Sequence, residues 1–217
     1  RGASYYGYPA GGGSPYYTAI KKGSYYWAPV NCGATRVAQA GDGKNGTIAG
    51  AGNMYQWGRQ DYTNHGGSTA SGPTSNSKPN NHTFYKAPDS PYDWLTPQNN
   101  SLWNGSRRGL NDPCPPGYRV PTIDELTSIG KATTWDGSGG LYKVNADSGR
   151  PQLVLPAAGY RDNGNGLSGN QGNAGDYWSS SVLLGSISAR SVTFGSAVLG
   201  QVTRNRAYGF SVRCLKE

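Results

Sequence analysis

The sequence predicts an α+β domain of short, irregular antiparallel strands and many long loops, with little helix. Charged residues make up only 15% of the 217 residues, whereas there are 34 glycines, 6 tryptophans and 16 tyrosines. Charge-rich helices do not fit this composition, while glycine-rich turns and buried aromatic side chains fit short strands. The chain is also too aromatic and too poor in charge to be disordered.

The elements follow from local patterns along the chain. Residues 1–24 are rich in Tyr, Gly and Pro without periodicity, and we predict an extended arm or linker followed by a single domain over residues 25–217. Aromatic runs at residues 25–30 and 54–58 indicate the first strands. Residues 60–90 hold both histidines among Asn, Ser, Gly and Pro, which is typical of a long surface loop. Later strands are expected at residues 153–159, 176–180, 189–194 and 209–215.

One helix is predicted near residues 122–130. Thr122 suits the N-cap position, and Glu125 three residues later completes a capping box. Its apolar positions fall near one face: Ile123, Leu126 and Ile129. Gly130 ends the pattern. The adjacent carboxylates of Asp124 and Glu125 are explained by the first helical turn, where negative charge is favourable.

The segment 182–205 consists of small and apolar residues without a strand or helix period. It lies between the motifs GDYWSSS and RAYGFSVRC, whose aromatic and glycine residues bracket it. Such a segment is typical of a display surface held by a rigid frame. This pattern favours binding over catalysis.

Motifs that would indicate catalysis or a bound cofactor are incomplete. Residues 41–46 match G-x-G-x-x-G by letter, but no strand leads into them and no helical pattern follows. His65 and His82 lie in a polar loop without a nearby acid, Cys or Ser. In the loop at residues 160–173 only Asp162 suits calcium, so a solvated hairpin is expected. We therefore predict no catalytic residues, no metal site and no cofactor.

The formal charge of +8 raises the question of nucleic acid. The basic residues are scattered, with only Lys21-Lys22 and Arg107-Arg108 as pairs. A solvated basic surface is expected and nucleic-acid binding is not. The sequence has no apolar run long enough to cross a membrane, so direct membrane insertion is not expected.

Three cysteines are too few for a disulfide scaffold and lack metal-ligand spacing. Cys114 lies in the motif NDPCPPGYRVP and Cys214 in GFSVRC, and we expect a bridge between them. Closing a loop of this size stabilises a protein by ~3–5 kcal/mol in the chain-entropy model. Such a bridge indicates an oxidising compartment. Cys32 would stay outside the bridge as a small buried hydrophobic residue.

Four motifs, in order, carry a resemblance to a known family: NDPCPPGYRVPTIDEL, LPAAGYRDNG, YWSSS and GFSVRC. With the earlier blocks YYWAPVNCGAT and MYQWGR, they resemble the Fibrobacter succinogenes major paralogous domain family over about residues 25–217. Members of this family occur on surface proteins of Bacteroidetes-type bacteria and share a C-type-lectin-like fold. The resemblance implies termini that meet in a sheet, a Cys114–Cys214 bridge, and an exposed face lined by Trp178, the three serines after it and the strand that follows them. The calcium-dependent sugar motifs of true C-type lectins are absent from the sequence, so calcium-mediated sugar binding is not expected.

A narrower resemblance concerns the variable proteins of diversity-generating retroelements, which often end in this fold. Residues 182–208 lie where the variable region of those proteins falls. On this resemblance three residues point inward as a frame: Ala189, Val192 and Phe194. The expected ligand-binding residues are Leu183, Ser186, Arg190, Thr193, Gly195, Tyr208 and Trp178. A further apolar group is either exposed as a protein-binding patch or packed beneath the loops: Leu183, Leu184, Val198 and Leu199.

We expect a non-enzymatic recognition or adhesion domain, extracellular or on a bacterial surface, pilus or phage, that binds a protein or glycan through residues 182–208. The alternative is a fimbrial or surface-matrix subunit that assembles through residues 1–24 into a homo-oligomer or pilus. An enzyme of the formylglycine-generating type, which shares the broader fold, would need Cys114 and Cys214 as thiols. Because the sequence opens at Arg1, we expect a processed or truncated product whose export signal has been removed.

Overall fold

Short strands dominate the structure, as the glycine-rich and charge-poor sequence predicts. The computed structural model describes residues 4–5, 17–130, 133–196 and 199–217. In chain order the strands of these residues are β1 (Ser4–Tyr5), β2 (Tyr17–Thr18), β3 (Ile20–Lys22), β4 (Tyr25–Trp27), β5 (Tyr55–Gln56), β6 (Thr69–Ser71), β7 (Phe84–Lys86), β8 (Tyr118–Arg119), β9 (Thr133–Asp136), β10 (Leu141–Val144), β11 (Leu153–Pro156), β12 (Tyr160–Arg161), β13 (Ser168–Gly169), β14 (Gly175–Val182), β15 (Ala189–Phe194), β16 (Leu199–Arg204), β17 (Gly209–Phe210) and β18 (Leu215–Lys216). The helices are α1 (Asp42–Asn45), α2 (Ile48–Ala51) and α3 (Ile123–Thr127).

The strands form several small antiparallel sheets. The larger sheets have the orders β3-β4-β18-β8, β13-β12-β17-β5, β14-β15-β16 and β11-β10-β9. Two strand pairs stand apart, β1-β2 and the parallel pair β6-β7. The last strand, β18, lies between β4 and β8, with Leu215 opposite both Trp27 and Arg119. Strands from near the two ends of the described chain therefore share one sheet.

Buried tryptophans supply much of the core, as the aromatic composition predicts. Five are almost fully enclosed: Trp27, Trp57, Trp94, Trp103 and Trp178. Four of them also donate the indole N–H to a backbone carbonyl at 2.7–2.9 Å. Each of these four rings therefore buries a large apolar area while its polar edge stays hydrogen-bonded. These bonds fix short strands that have few ladder bonds of their own.

The predicted capping box is confirmed at the start of α3. The Glu125 N–H donates to Thr122 Oγ1 at 3.2 Å, and the Thr122 N–H donates to Glu125 Oε2 at 2.7 Å. Arg119 adds an ion pair with Glu125 at 2.6 Å. The predicted apolar face is buried, although the helix itself ends at Thr127 rather than near residue 130.

Other predicted elements agree with the structure in part. The strand predicted at residues 189–194 is β15, and the one predicted at 176–180 lies within β14. The expected loop at residues 60–90 contains β6 and β7, because tertiary pairing can impose strands on polar sequence. Residues 41–46 contain the short helix α1, which the sequence did not predict. The side chain of Asp42 holds it by accepting from Arg36 at 2.6 and 2.8 Å.

The boundary between arm and domain needs a correction. Strand β3 pairs with β4, and Ile20 is buried opposite Trp27, so the sheet begins inside the segment that we expected to be an arm. Ile20 and Trp27 belong to the same buried apolar cluster, which explains why this part of the arm joins the sheet. Residues 1–3 and 6–16 of the arm lie outside the described residues.

The expected disulfide between Cys114 and Cys214 is present and closes a sequence separation of 100. Cys32 is buried beside it, and the three sulfur atoms lie within 4.8 Å of one another. The Cys32 sulfur also lies 3.2 Å from the Tyr55 hydroxyl. The three cysteines therefore meet at one point of the core, which their spacing in the sequence did not indicate.

Candidate functional site

One face of the β14-β15-β16 sheet presents polar side chains at its open end. Asp176 on β14 is the cross-strand partner of Thr193 on β15, and Ala189 on β15 is the partner of Arg204 on β16. Cross-strand partners and alternate residues of a strand share a face. Asp176, Thr193 and Arg204 therefore project from the same side of this sheet.

Aromatic rings form the opposite wall. Tyr160 comes from β12, Phe210 from β17, and Tyr208 from the turn before β17. The Tyr160 and Tyr208 rings meet edge to face at 5.7 Å, and the Tyr208 and Phe210 rings stack at 5.4 Å. Burial raises the pKa of the Tyr208 hydroxyl, and the neighbouring Asp162 and Tyr160 raise it further. The wall is therefore preformed by contacts among the rings.

Between the polar face and the aromatic wall lies an open cavity of about 420 Å³. Thr203 of β16 and three residues of the connecting segments complete its lining: Asn170, Ser188 and Asn205. Cavities of this size are typical of small-ligand sites. Its polar lining groups are suited to recognising a polar or charged group.

Asp176 is the most strongly perturbed group in the cavity. Its side chain is only 4% exposed although it lines the cavity. Burial raises the pKa of Asp176 to about 6, and a hydrogen bond with Thr193 and the charge of Arg204 only partly offset this rise. A carboxyl group with a perturbed pKa in a cleft is a candidate functional group.

Several of the predicted ligand-binding residues lie at or near this cavity. Thr193 and Tyr208 line it. Leu183 and Ser186 are half-buried in the β14–β15 connection, which also carries the lining residue Ser188, and Gly195 directly follows β15. Arg190 is the cross-strand partner of Thr203. It lies on the other face of β15 from Thr193, because the two positions are an odd number of residues apart in the strand.

The expectation that Trp178 contacts ligand is corrected by its burial. Its side chain is 0% exposed, its Nε1–H donates to the Tyr55 carbonyl at 2.8 Å, and its ring packs 4.4 Å from Phe210. Two of the serines that follow are also buried, and their hydroxyls donate to backbone carbonyls, Ser179 to that of Arg190 and Ser180 to that of Pro121. This segment supports the cavity from beneath and does not form an exposed face.

The expected inward frame is confirmed, since Ala189, Val192 and Phe194 are all buried. The apolar group for which we left two alternatives divides between them. Leu184 is 88% exposed, whereas Leu199 is buried. Leu183 is half-buried, and Val198 lies outside the described residues.

The sequence did not single out Asp176, Tyr160 or Arg204 as site residues. Asp176 directly precedes the motif YWSSS and sits at an alternate position to Trp178, so it shares the core-facing side of its strand. A charged residue at such a position is a signal in itself, because buried charges are rare without a partner or a function. Tyr160 and Arg204 reach the cavity only through tertiary contacts.

The histidines have different surroundings from those expected. His82 has an acid nearby, since its Nδ1 lies 2.5 Å from Asp61, and its ring stacks on Tyr62 at 4.0 Å. Asp61 also accepts from Arg59 Nη2 at 2.9 Å and from the His82 backbone N–H at 2.8 Å, so the group fixes this loop. His65 contacts the Ser168 hydroxyl and the Ala158 carbonyl, and burial lowers its pKa.

The loop at residues 160–173 is a hairpin, as expected, formed by β12 and β13. Asp162 accepts the backbone N–H groups of Gly164 at 2.8 Å and of Asn165 at 3.0 Å. These bonds give its carboxylate a structural role in the turn.

Comparison of the chain with protein-family models, with curated proteins and with solved structures finds no match. Among the described residues, no helix combines the length and the apolar character that a membrane crossing requires. The class defined by the fold is an α+β protein of small antiparallel sheets with one disulfide.

Proposed function

We propose that this protein is a non-enzymatic recognition domain that binds its ligand in the cavity between the β14-β15-β16 sheet and the Tyr160 and Tyr208 rings. The observation that carries the proposal is the composition of this cavity. Six of its ten lining residues belong to the segment 182–208, which the sequence already favoured for binding: Ser188, Thr193, Thr203, Arg204, Asn205 and Tyr208.

The contrast between the lining of the cavity and the frame beneath it supports a role in recognition. The segment 182–208 supplies the side chains of the rim and of one wall, while the frame beneath it is tightly packed. Strand β15 has a continuous register with β16 and is hydrogen-bonded to β14 on its other side. Side chains on such a rigid element can change without loss of the fold, which suits a C-type-lectin-like scaffold whose variable surface a retroelement diversifies.

We also infer an extracellular location or one on the surface of a bacterium. The disulfide supports it, because such bridges persist in oxidising environments. The same bridge occupies both cysteines that an enzyme of the formylglycine-generating type would need as thiols. A binding domain is therefore a better explanation of the site than that chemistry.

The experiment blocks the cavity without disturbing the core. The purified chain is screened on arrays of bacterial-surface glycans and of peptides, and a ligand of the native protein is then titrated against two variants. Thr193 lines the cavity and shares the face of the sheet with Asp176, so Thr193→Trp should weaken binding at least about tenfold. The matched control is Thr134→Trp at an exposed position of β9. Equal binding by both variants would contradict the proposed site.

A further inference from the structure

The cavity has a negative charge at its base. When ionised, the Asp176 carboxylate is an acceptor only and can take about four hydrogen bonds. Its identified side-chain partner is the Thr193 hydroxyl. Because the side chain is only 4% exposed, water supplies little of the remaining solvation. A ligand that carries hydrogen-bond donors can provide it.

No protein cation neutralises this carboxylate within the described part of the chain. None of the ion pairs found there, to a limit of 4.0 Å, includes Asp176. Arg204 is the cation that acts on it electrostatically, but its Nη1 donates to the Thr203 carbonyl at 3.2 Å. Buried charges are normally paired. The Asp176 carboxylate therefore lacks a positively charged partner among the described residues, and a cationic ligand in the cavity would supply one.

The aromatic wall fits the same kind of group. Tyrosine ring faces attract cations within about 6 Å of the ring centroid. The Tyr160 and Tyr208 rings stand edge to face at the cavity wall, and Asp162, hydrogen-bonded to Tyr208, adds negative charge behind it. A carboxylate at the base and tyrosine rings at the side are the surroundings that a desolvated ammonium or guanidinium group requires.

We propose that the cavity takes the cationic side chain of a lysine or arginine from a protein partner, which pairs with Asp176 and packs against Tyr208. This inference rests on the proposed function, since it names the ligand class of the same cavity. The rim favours a protein over an amino sugar. Leu184, 88% exposed, and Ile187, 38% exposed, lie on the β14–β15 connection next to the lining residue Ser188. Exposed apolar side chains beside a polar pocket are typical of protein interfaces.

Replacing Arg204 should have the opposite effect on ligand binding from replacing Asp176. It lines the cavity and carries a positive charge that repels a cationic ligand. Replacing Asp176 should therefore weaken binding of a cationic probe, whereas replacing Arg204 should strengthen it. A purely structural role of the two residues does not predict opposite effects.

The probes are Nα-acetyl-lysine amide and Nα-acetyl-arginine amide, with Nα-acetyl-norleucine amide as the neutral analogue of the same shape. Each is titrated into the full chain and followed by NMR chemical shifts. A cationic probe should bind at least about tenfold more tightly than norleucine, and Asp176→Asn should remove this difference. Arg204→Gln should tighten binding about threefold or more. Asp89→Asn, at an exposed position, should change nothing.

A pH series keeps the test valid if a variant is unstable. Binding to the native chain should weaken as pH falls through about 6, where the Asp176 carboxyl takes up a proton. The charged and titratable groups facing it are Arg204, Tyr160 and Tyr208.

Equal binding of the norleucine probe, or no saturable binding of either cationic probe, overturns the inference. Preference for glucosamine, tested beside glucose, overturns the protein partner and leaves the proposed function standing. Failure of the Thr193→Trp test would remove both.

Discussion

Arg213 and Asn31, 182 positions apart in the chain, are joined inside the protein, with the Arg213 Nε–H donating to Asn31 Oδ1 at 2.9 Å. The Asn31 amide in turn donates to the Tyr177 hydroxyl at 2.9 Å and to the Ala51 carbonyl at 2.8 Å. Arg213 also donates to the Val154 carbonyl at 2.6 Å. One buried polar centre thus connects the segment after β4, the segment before β18, and strands β11 and β14.

Truncation of Asn31 should destabilise the protein strongly. Asn31→Ala removes the acceptor of a buried guanidinium N–H and the donor to Tyr177, and groups that lose a partner in the core keep their desolvation penalty. We expect a loss of about 3 kcal/mol in the free energy of unfolding, measured by urea titration at constant m-value. Asn80→Ala, at an exposed position, is the matched control and should cost less than about 0.5 kcal/mol. Similar losses in both variants would contradict the role of this centre.

Asp176 should make stability depend on pH in a defined window. Burial raises its pKa in the folded protein to about 6 from an ordinary value of 3.8. Between these values the folded state holds a proton that the unfolded state has released, so the free energy of unfolding falls as pH rises from about 4 to about 6. The full effect is on the order of 3 kcal/mol.

The Asp176→Asn variant isolates this effect. Asp112 is also buried with a pKa raised to about 6, so both proteins share its contribution to the pH dependence. The native protein should lose about 3 kcal/mol relative to the variant between pH 4 and pH 7. A stability difference that stays constant over this range would mean that Asp176 is solvated in the folded state.

Local signals explain what the sequence predicted, and tertiary contacts explain what it missed. The helix start at Thr122 and strand β15 depend on neighbouring residues, and both appear where expected. The cavity is lined by Tyr160 of one sheet and Asp176 of another, and the periodicity of the sequence does not show which strands of different sheets lie close together. In the same way, the acid beside His82 comes from Asp61, which the backbone brings back across a loop. The outward position of Thr193 could be predicted because adjacent residues of a strand point to opposite faces, and Val192 was expected to point inward.

The capping box of α3 should be worth about 1 kcal/mol. Thr122→Ala removes the acceptor of the Glu125 N–H, and a helix as short as α3 has few other bonds to hold its first turn. We expect this loss in urea unfolding, with Thr134→Ala on the exposed face of β9 as the control. Restoration of stability by Thr122→Ser, which keeps the hydroxyl, would support capping, whereas equal stability of the serine and alanine variants would exclude it.

The proximity of the three cysteines predicts an alternative disulfide. In Cys114→Ser the sulfurs of Cys32 and Cys214 remain, and in the native protein all three sulfurs lie within 4.8 Å of one another. Oxidised glutathione should therefore link Cys32 to Cys214, releasing two equivalents of reduced glutathione per bond formed. Peptide mapping by mass spectrometry without reduction detects the new link.

Stability measurements distinguish this rearrangement from simple loss of the native bridge. The variant Cys114→Ser should retain part of the stability that the bridge gives, because the new link also closes a long loop. The double variant Cys32→Ser/Cys114→Ser has no second thiol and should lose the full ~3–5 kcal/mol. If Cys114→Ser keeps two titratable thiols after oxidation and is as unstable as the double variant, the core holds the Cys32 and Cys214 sulfurs too rigidly to approach each other.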